Sequence, residues 1–285
     1  MNGCKVLSTL FAERFGLEPA ESPALPEADA GDGVALARMV GRATCRRFRS
    51  DPVPEALLQV LLACAQAAPS KSDLQQYSIV VVDEPAARGE IAGWLPRMPW
   101  VGEAPVFLVF CADLRRAQRV CALRERPHAN DNLDTFLNTA VDAALALGAF
   151  VSAAEAAGLG CCPISYVRNH LPAITRLLAL PPGVFPIAGL CVGYPAARAA
   201  VSMRLPPALV VHRNRYDDAH LADALAAYDE RRHAREPIAP AKQKNAEVYG
   251  TAARCTWSDQ VSRQLSLPER ADFAAFLRGH GFRLE

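Results

Sequence analysis

The chain has 285 residues, 51% hydrophobic and 21% charged, with 31 Lys plus Arg against 30 Asp plus Glu. That balance belongs to a globular chain able to bury a sizeable core, not to a disordered or fibrous one. A net charge of +1 supplies no long-range field for gathering nucleic acid or an anionic membrane, so any anion must be held by a local arginine cluster.

The first fifteen residues carry Lys5 but no apolar run long enough for a signal peptide. Residues 18–33 mix Pro, Ala, Gly and acids without apolar periodicity, which reads as a linker. The expected organisation is therefore an N-terminal extension and linker over 1–33, then a single folded domain over 34–285 that begins near Val34. A short helix is expected from Val34 to Met39. A stronger one runs from Glu55 to Ala67, with Pro54 at its start and Pro69 beyond its end. The runs 77–82 and 105–112 are short, continuous and rich in Val, Ile and Phe, as buried strands are, with a helix from Ala86 to Leu95 between them. From Leu133 to Ala157 the few polar residues, Asn138, Asp142 and Glu155, make no broad wet face. Such a helix belongs in a domain centre or a subunit interface. Strands at Cys161–Ser165 and Pro186–Val192 flank a helix from Pro172 to Leu180. The tail from about residue 200 onward has a polar amphipathic helix near His220–Arg235 and a last helix near Pro268–Arg278, and reads as an excursion clasping the main body or a dimer mate. The sum is an α+β, three-layer arrangement, a sheet wrapped by helices.

Several chemistries are excluded. The nine cysteines never form CxxC, no HExxH occurs, and the six histidines show no ligand spacing, so no protein-held metal is expected. The same cysteine usage fits a reducing, cytoplasmic setting and neither a disulfide framework nor secretion. Vicinal Cys161 and Cys162 would point to opposite faces of a strand and read as core thiols. The longest strictly apolar run, about a dozen residues, is shorter than the roughly 18 needed to span a bilayer, so no membrane segment is expected. Gly158-Leu-Gly160 lacks the third glycine of a dinucleotide fingerprint, and no serine sits in G-x-S-x-G.

Three dispersed segments remain. Arg42, Thr44 and Arg46 stand where a short helix gives way to an extended stretch. Arginines four apart share a helix face and can fork a phosphate, or form a solvated basic patch. Ser70, Lys71, Ser72, Asp73 and Gln75 lie between a helix and a strand, offering hydroxyls and N–H groups to a polar ligand, or simply making a loop. Gly158 to Asn169 follows the apolar helix, and Gly193-Tyr194-Pro195 ends the next strand. Glycines there allow close backbone approach.

In chain order, R-x-T-x-R-R-F, A-P-S-x-S-x-L-Q, G-L-G-x-x-P-I-x-x-x-R and L-C-V-G-Y-P-A resemble the FMN-dependent nitroreductase family over about residues 35–285. Arg204-Leu205-Pro206 and Cys255-Thr256-Trp257-Ser258-Asp259 resemble the tail of its NADPH-preferring branch of nitroreductases and flavin reductases. The resemblance implies a central mixed sheet and an interlocked homodimer with FMN at the interface. It also implies Arg42, Thr44, Arg46 and Arg204 on the FMN phosphate, and Ser70, Lys71, Ser72, Asp73 and Gln75 along the flavin, often from the partner subunit. Pro163, Ile164, Ser165 and Tyr166 would lie near the ring. Arg254 matches a position able to meet the extra phosphate of NADPH, and NADH is the alternative donor. No protein nucleophile is implied, because the flavin passes electrons from NAD(P)H to a small-molecule acceptor such as a nitroaromatic, a quinone or free flavin. Three positions depart from the pattern: Asp73 stands where relatives often have Asn, Arg97-Met98 where they have Asn-Gln, and Ser202 where they have Lys. Those departures leave two alternatives, a flavin-binding sensor or carrier, and a specialised reductive dehalogenase or dehydrogenase.

Overall fold

The computed structural model describes residues 3–22 and 33–285; most of the expected linker, residues 23–32, lies outside them. In chain order the helices are α1 (Gly3–Phe15), α2 (Gly33–Val40), α3 (Glu55–Gln66), α4 (Pro85–Trp94), α5 (Trp100–Glu103), α6 (Arg115–Leu123) and α7 (Leu133–Ala156). They continue with α8 (Leu171–Leu177), α9 (Leu221–Arg235), α10 (Ala246–Tyr249), α11 (Trp257–Leu265) and α12 (Phe273–Gly279). The strands are β1 (Tyr77–Val81), β2 (Val106–Asp113), β3 (Gly160–Ile164) and β4 (Val184–Gly193). The chain divides into two compact units, one from residues 1–42 with 200–269, the other from 43–199 with 270–285.

The second unit is built on a sheet of order β1-β2-β4-β3 in which every neighbouring pair is antiparallel. The expected mixed sheet is thus corrected: among the described residues, the parallel pairing is an isolated bridge between Thr44 and Cys161. The runs at β2 and β4 are apolar without alternation because both sheet faces are covered. Leu108 and Phe110 of β2 join Leu58, Leu61 and Ala65 of α3 and Ala143, Ala146, Phe150 and Ala154 of α7 in one core. Phe107, Val109 and Cys111, alternating with them, pack on the other face with Ile91 of α4, Leu95 just past its end, and Ile174 of α8. This is the expected three-layer arrangement. At 24 residues α7 is long and apolar enough to cross a bilayer by composition, yet one side of it is packed on the sheet as the central helix. A third cluster seats α12 and the C-terminus around Phe185, through Leu277 and Phe282.

The first unit contains a helix that the sequence reading did not expect. Residues 3–15, taken as part of an extension before the folded body, form α1, which packs along α2 and buries Leu7, Ala12 and Arg14. Gly16 ends α1 in the left-handed region, φ 64°, and the N–H of Leu17 reaches back to the Ala12 carbonyl. In the same unit α11 packs on α9.

Candidate functional site

Helix α2 stops at Val40, so the helix-face reading of Arg42 and Arg46 does not hold. Residues 44–48 run between two bridges, Thr44 to Cys161 of β3 and Phe48 to Pro195 after β4. The N–H of Cys45 donates to the Cys161 carbonyl at 2.9 Å, and the N–H of Ala196 to that of Arg47 at 2.9 Å. Cys45 is buried, Thr44 is half-buried, and Arg46 and Arg47 are both exposed. Burial raises the Cys45 thiol above its ordinary value, which keeps it a neutral core group. The glycine of the G-L-G motif is required here: a Cβ on Gly160 would lie 2.5 Å from that of Cys45. Three of the four sequence signatures are therefore neighbours in space, with Arg46 stacked over Trp100 at 5.6 Å.

At the far end of β3 the chain turns out of the sheet. Ile164 is buried, Pro163 half-buried, and Ser165 and Tyr166 are exposed. Arg168, the last residue of that signature, donates to the Ile187 carbonyl of β4 and is structural. Burial lowers its affinity for the proton, with Arg270 nearby acting in the same sense.

The Ser70 loop is exposed from Lys71 to Gln75, and its Ser72, Asp73 and Gln75 have φ of 49°, 56° and 50°. Three non-glycine residues in the left-handed region within four positions is strained backbone, which persists only when its surroundings hold it. The holder is Asp142 of α7, 1% exposed. Its carboxylate accepts the N–H of Lys71 and the N–H of Gln76, each at 3.0 Å, pinning both ends of the loop. Ser70 Oγ accepts the N–H of Gln75 at 3.2 Å, and Arg116 donates to the Gln75 carbonyl at 2.8 Å. Sequence reasoning named the loop and missed these anchors; the signal for Asp142 was an acid inside an otherwise apolar helix.

The sheet order sets the distance between these groups. The Ser70 loop leads into β1, at one edge, while Thr44 lies outside β3, at the other. With strands about 4.8 Å apart, four spacings separate them by roughly 19 Å. One copy of the chain does not bring the two sets together.

The remaining candidates lie in the first unit. Arg42 is half-buried; Arg204 is exposed and donates to Ser202 Oγ at 3.1 Å. Arg254 is paired with Glu230 of α9 at the surface, so a phosphate would have to compete with that carboxylate. The Thr256-Trp257-Ser258-Asp259 signature is a helix start. Thr256 caps α11, and Asp259 returns a bond to the Thr256 N–H at 2.9 Å, a bond that holds its carboxyl below the usual range. Ser258 docks this cap on Asp229 of α9. Of the departures, Met98 is packed against the core beside α4. Among the described residues no group of His, Cys, Asp and Glu could hold a metal.

Residues 39–194 match the Nitroreductase family and residues 202–285 match the Nitroreductase family, C-terminal domain. The chain belongs to the nitroreductase family. Among its relatives are the FMN reductase [NAD(P)H] of Bacillus subtilis, 33% identical over 84% of this chain and 94% of that protein, and the oxygen-insensitive NADPH nitroreductase of Salmonella typhimurium, 33% identical over 86% and 96%. The solved structure of the NADPH:FMN oxidoreductase from Vibrio harveyi, complexed with NAD+, superposes with a TM-score of 0.74 at 29% identity, covering 87% of this chain and 97% of that one. Nitroreductase membership thus extends over both units, and the family matches leave residues 1–38 outside.

Proposed function

We propose that this nitroreductase-family chain is an FMN-dependent NAD(P)H oxidoreductase, working in the cytoplasm as a homodimer and passing electrons to nitroaromatic, quinone or flavin acceptors. The observation that carries the reading is the anchored segment from Thr44 to Arg46 beside β3, which carries a half-buried hydroxyl and an exposed guanidinium two residues apart. This donor set fits a phosphate monoester such as that of FMN; the first unit by itself carries Arg42 and Arg204, the other two arginines that the resemblance assigns to that phosphate. Lys71, Ser72, Asp73 and Gln75 fit the polar edge of a flavin, with the left-handed backbone held open by Asp142. Pro163, Ile164, Ser165 and Tyr166 supply an apolar to polar turn fit for the ring plane. The chemistry supplied by bound FMN is two-electron transfer between reduced nicotinamide and an acceptor. The chain's part is to bind, orient and exclude water; Arg254 would meet the donor's extra phosphate once parted from Glu230.

The separation of the Ser70 loop from the Thr44 segment supports a site shared by two copies, each contributing one set to the same flavin. A surface for that pairing is present on α7. Leu133, Leu137, Val141 and Leu145 recur every fourth residue and are 52%, 56%, 45% and 41% exposed, an apolar stripe opposite the packed face. In sedimentation velocity the wild-type protein is expected to run as a dimer, and Val141→Asp, which puts a charge into that stripe, as a monomer with weakened FMN binding. A wild-type monomer that holds FMN at full affinity would remove the shared site.

The function itself is tested by loading the purified protein with FMN and titrating it anaerobically with NADPH and, separately, NADH. Loss of the oxidised flavin absorbance within seconds, and its return on adding a quinone, is the expected result. A protein that takes up no FMN, or whose flavin neither donor reduces, contradicts the reading.

A further inference from the structure

Arg14, in the last turn of α1, is buried at 7% exposure although it carries a full guanidinium. Its Nε donates to the Val40 carbonyl at 2.9 Å, one terminal nitrogen to the Ser202 carbonyl at 2.6 Å, and the other to the Arg42 carbonyl. Its own carbonyl accepts the N–H of Arg204 at 2.8 Å. One side chain and its backbone thus tie together the two segments that carry Arg42 and Arg204, about 160 residues apart in the chain. The planar fork of five N–H donors suits this task, and an ammonium on a flexible stem does not.

The surroundings fix Arg14 from both sides. Helix α1 is seated directly on the end of α2, where a Cβ on Gly41 would come within 2.8 Å of Leu10 Cδ1. The carbonyl before Arg14, that of Glu13, accepts from Arg235 of α9 at 2.7 Å, and Arg235 also pairs with the Glu13 carboxylate at 3.1 Å. The residue between Ser202 and Arg204 is held as tightly: the Met203 carbonyl accepts from Arg232, and its N–H donates to Glu236, each at 3.2 Å. Gly16, just past the helix, leaves no room for a side chain beside Met203 Cε. All of these groups lie in the first unit, and α1 lies outside both family matches.

We infer that Arg14 is a positioning residue for the phosphate-binding arginines: α1 is an added brace that sets Arg42 and Arg204 for an anionic ester, a phosphate monoester of a flavin. The inference rests on the proposed FMN reading. Arg14 does not touch the ester, because its guanidinium donors face three main-chain carbonyls. Its removal frees the two segments to move relative to each other, and a grip that must place several cations around one phosphate is sensitive to shifts on the order of 1 Å.

The test compares FMN with riboflavin, which has the ring and the ribityl chain but no phosphate. Apoprotein of the wild type, Arg14→Ala and Arg14→Lys is titrated with each flavin by fluorescence quenching, and the folded fraction is followed by circular dichroism. The wild type is expected to favour FMN strongly over riboflavin. In both variants FMN affinity should fall by about 10- to 100-fold while riboflavin affinity stays within about twofold of the wild type. Arg14→Lys keeps the charge and the stem and guards against a variant that fails to fold. Equal losses for the two flavins, or full FMN affinity in Arg14→Lys, would overturn the inference and leave the FMN reading standing. A wild type that binds FMN and riboflavin alike would remove the phosphate grip, and the inference with it.

Discussion

Asp142→Ala is expected to lower the melting temperature by about 10 °C and to weaken FMN binding in the same protein. The carboxylate accepts the N–H groups of Lys71 and Gln76, the two ends of a loop whose interior residues are strained. Hydrogen bonds to such a group contribute about 1.5–3 kcal/mol each, so losing both costs roughly 3–6 kcal/mol. A loss of that size lowers the melting point of a chain this long by about 10 °C. The loop would then relax Ser72, Asp73 and Gln75 towards ordinary backbone angles, and the polar edge offered to the flavin would be lost. Asp142→Asn is the sharper variant. A carboxamide has one acceptor oxygen, and its NH2 would face a main-chain N–H, so it should behave almost as badly as alanine despite its matching shape. Differential scanning calorimetry of the apoprotein, with FMN titration alongside, reads both effects. A melting point within about 2 °C of wild type in Asp142→Asn would show that the loop is held by other means.

The two halves of the site were unequally legible in the sequence. The buried strands stood out because β2 and β4 are covered on both faces and so read as unbroken Val, Leu, Ile and Phe runs. Their antiparallel pairing was not legible, since register and order are set by contacts between distant segments and not by any local pattern. Helix α7 was visible as an apolar stretch, and its division into a packed face and an exposed stripe follows only once α3 and the sheet are in place. Helix α6 is amphipathic through Ala117, Val120 and Cys121, but it is short, rich in arginine and buries none of its residues, and the sequence reading passed over it. Helix α11 announces itself by the Thr256 and Asp259 capping box, which the resemblance had drawn attention to for another reason.

Among the site residues, Thr44 and Arg46 were legible as a motif, although by the wrong geometry. The spacing of four between Arg42 and Arg46 reads as one turn of helix, whereas α2 ends at Val40, before both, and the chain from Thr44 to Phe48 runs between two bridges. The anchors Asp142 and Arg14 were not legible as such. Each acts on main-chain groups of segments far away in sequence, and a single chain's residue types carry no record of which carbonyl or N–H a side chain will meet. Of the three positions that the resemblance sets apart, two have a visible structural role. Met98 fills core space beside α4, and the Ser202 hydroxyl accepts from Arg204.

Arg46→Ala tests the Thr44 to Arg46 segment directly as the flavin phosphate site. Arg46 is exposed, and the contact it loses on truncation is a stack over Trp100, worth about 0.5–1 kcal/mol at such a surface. The fold should therefore survive. A guanidinium forked on a phosphate is a strong charge-assisted contact, so FMN affinity should drop by at least about 30-fold. Riboflavin, lacking the phosphate, should bind Arg46→Ala as well as it binds the wild type. Unchanged FMN affinity in a folded Arg46→Ala protein would contradict the assignment of this segment as the flavin phosphate site.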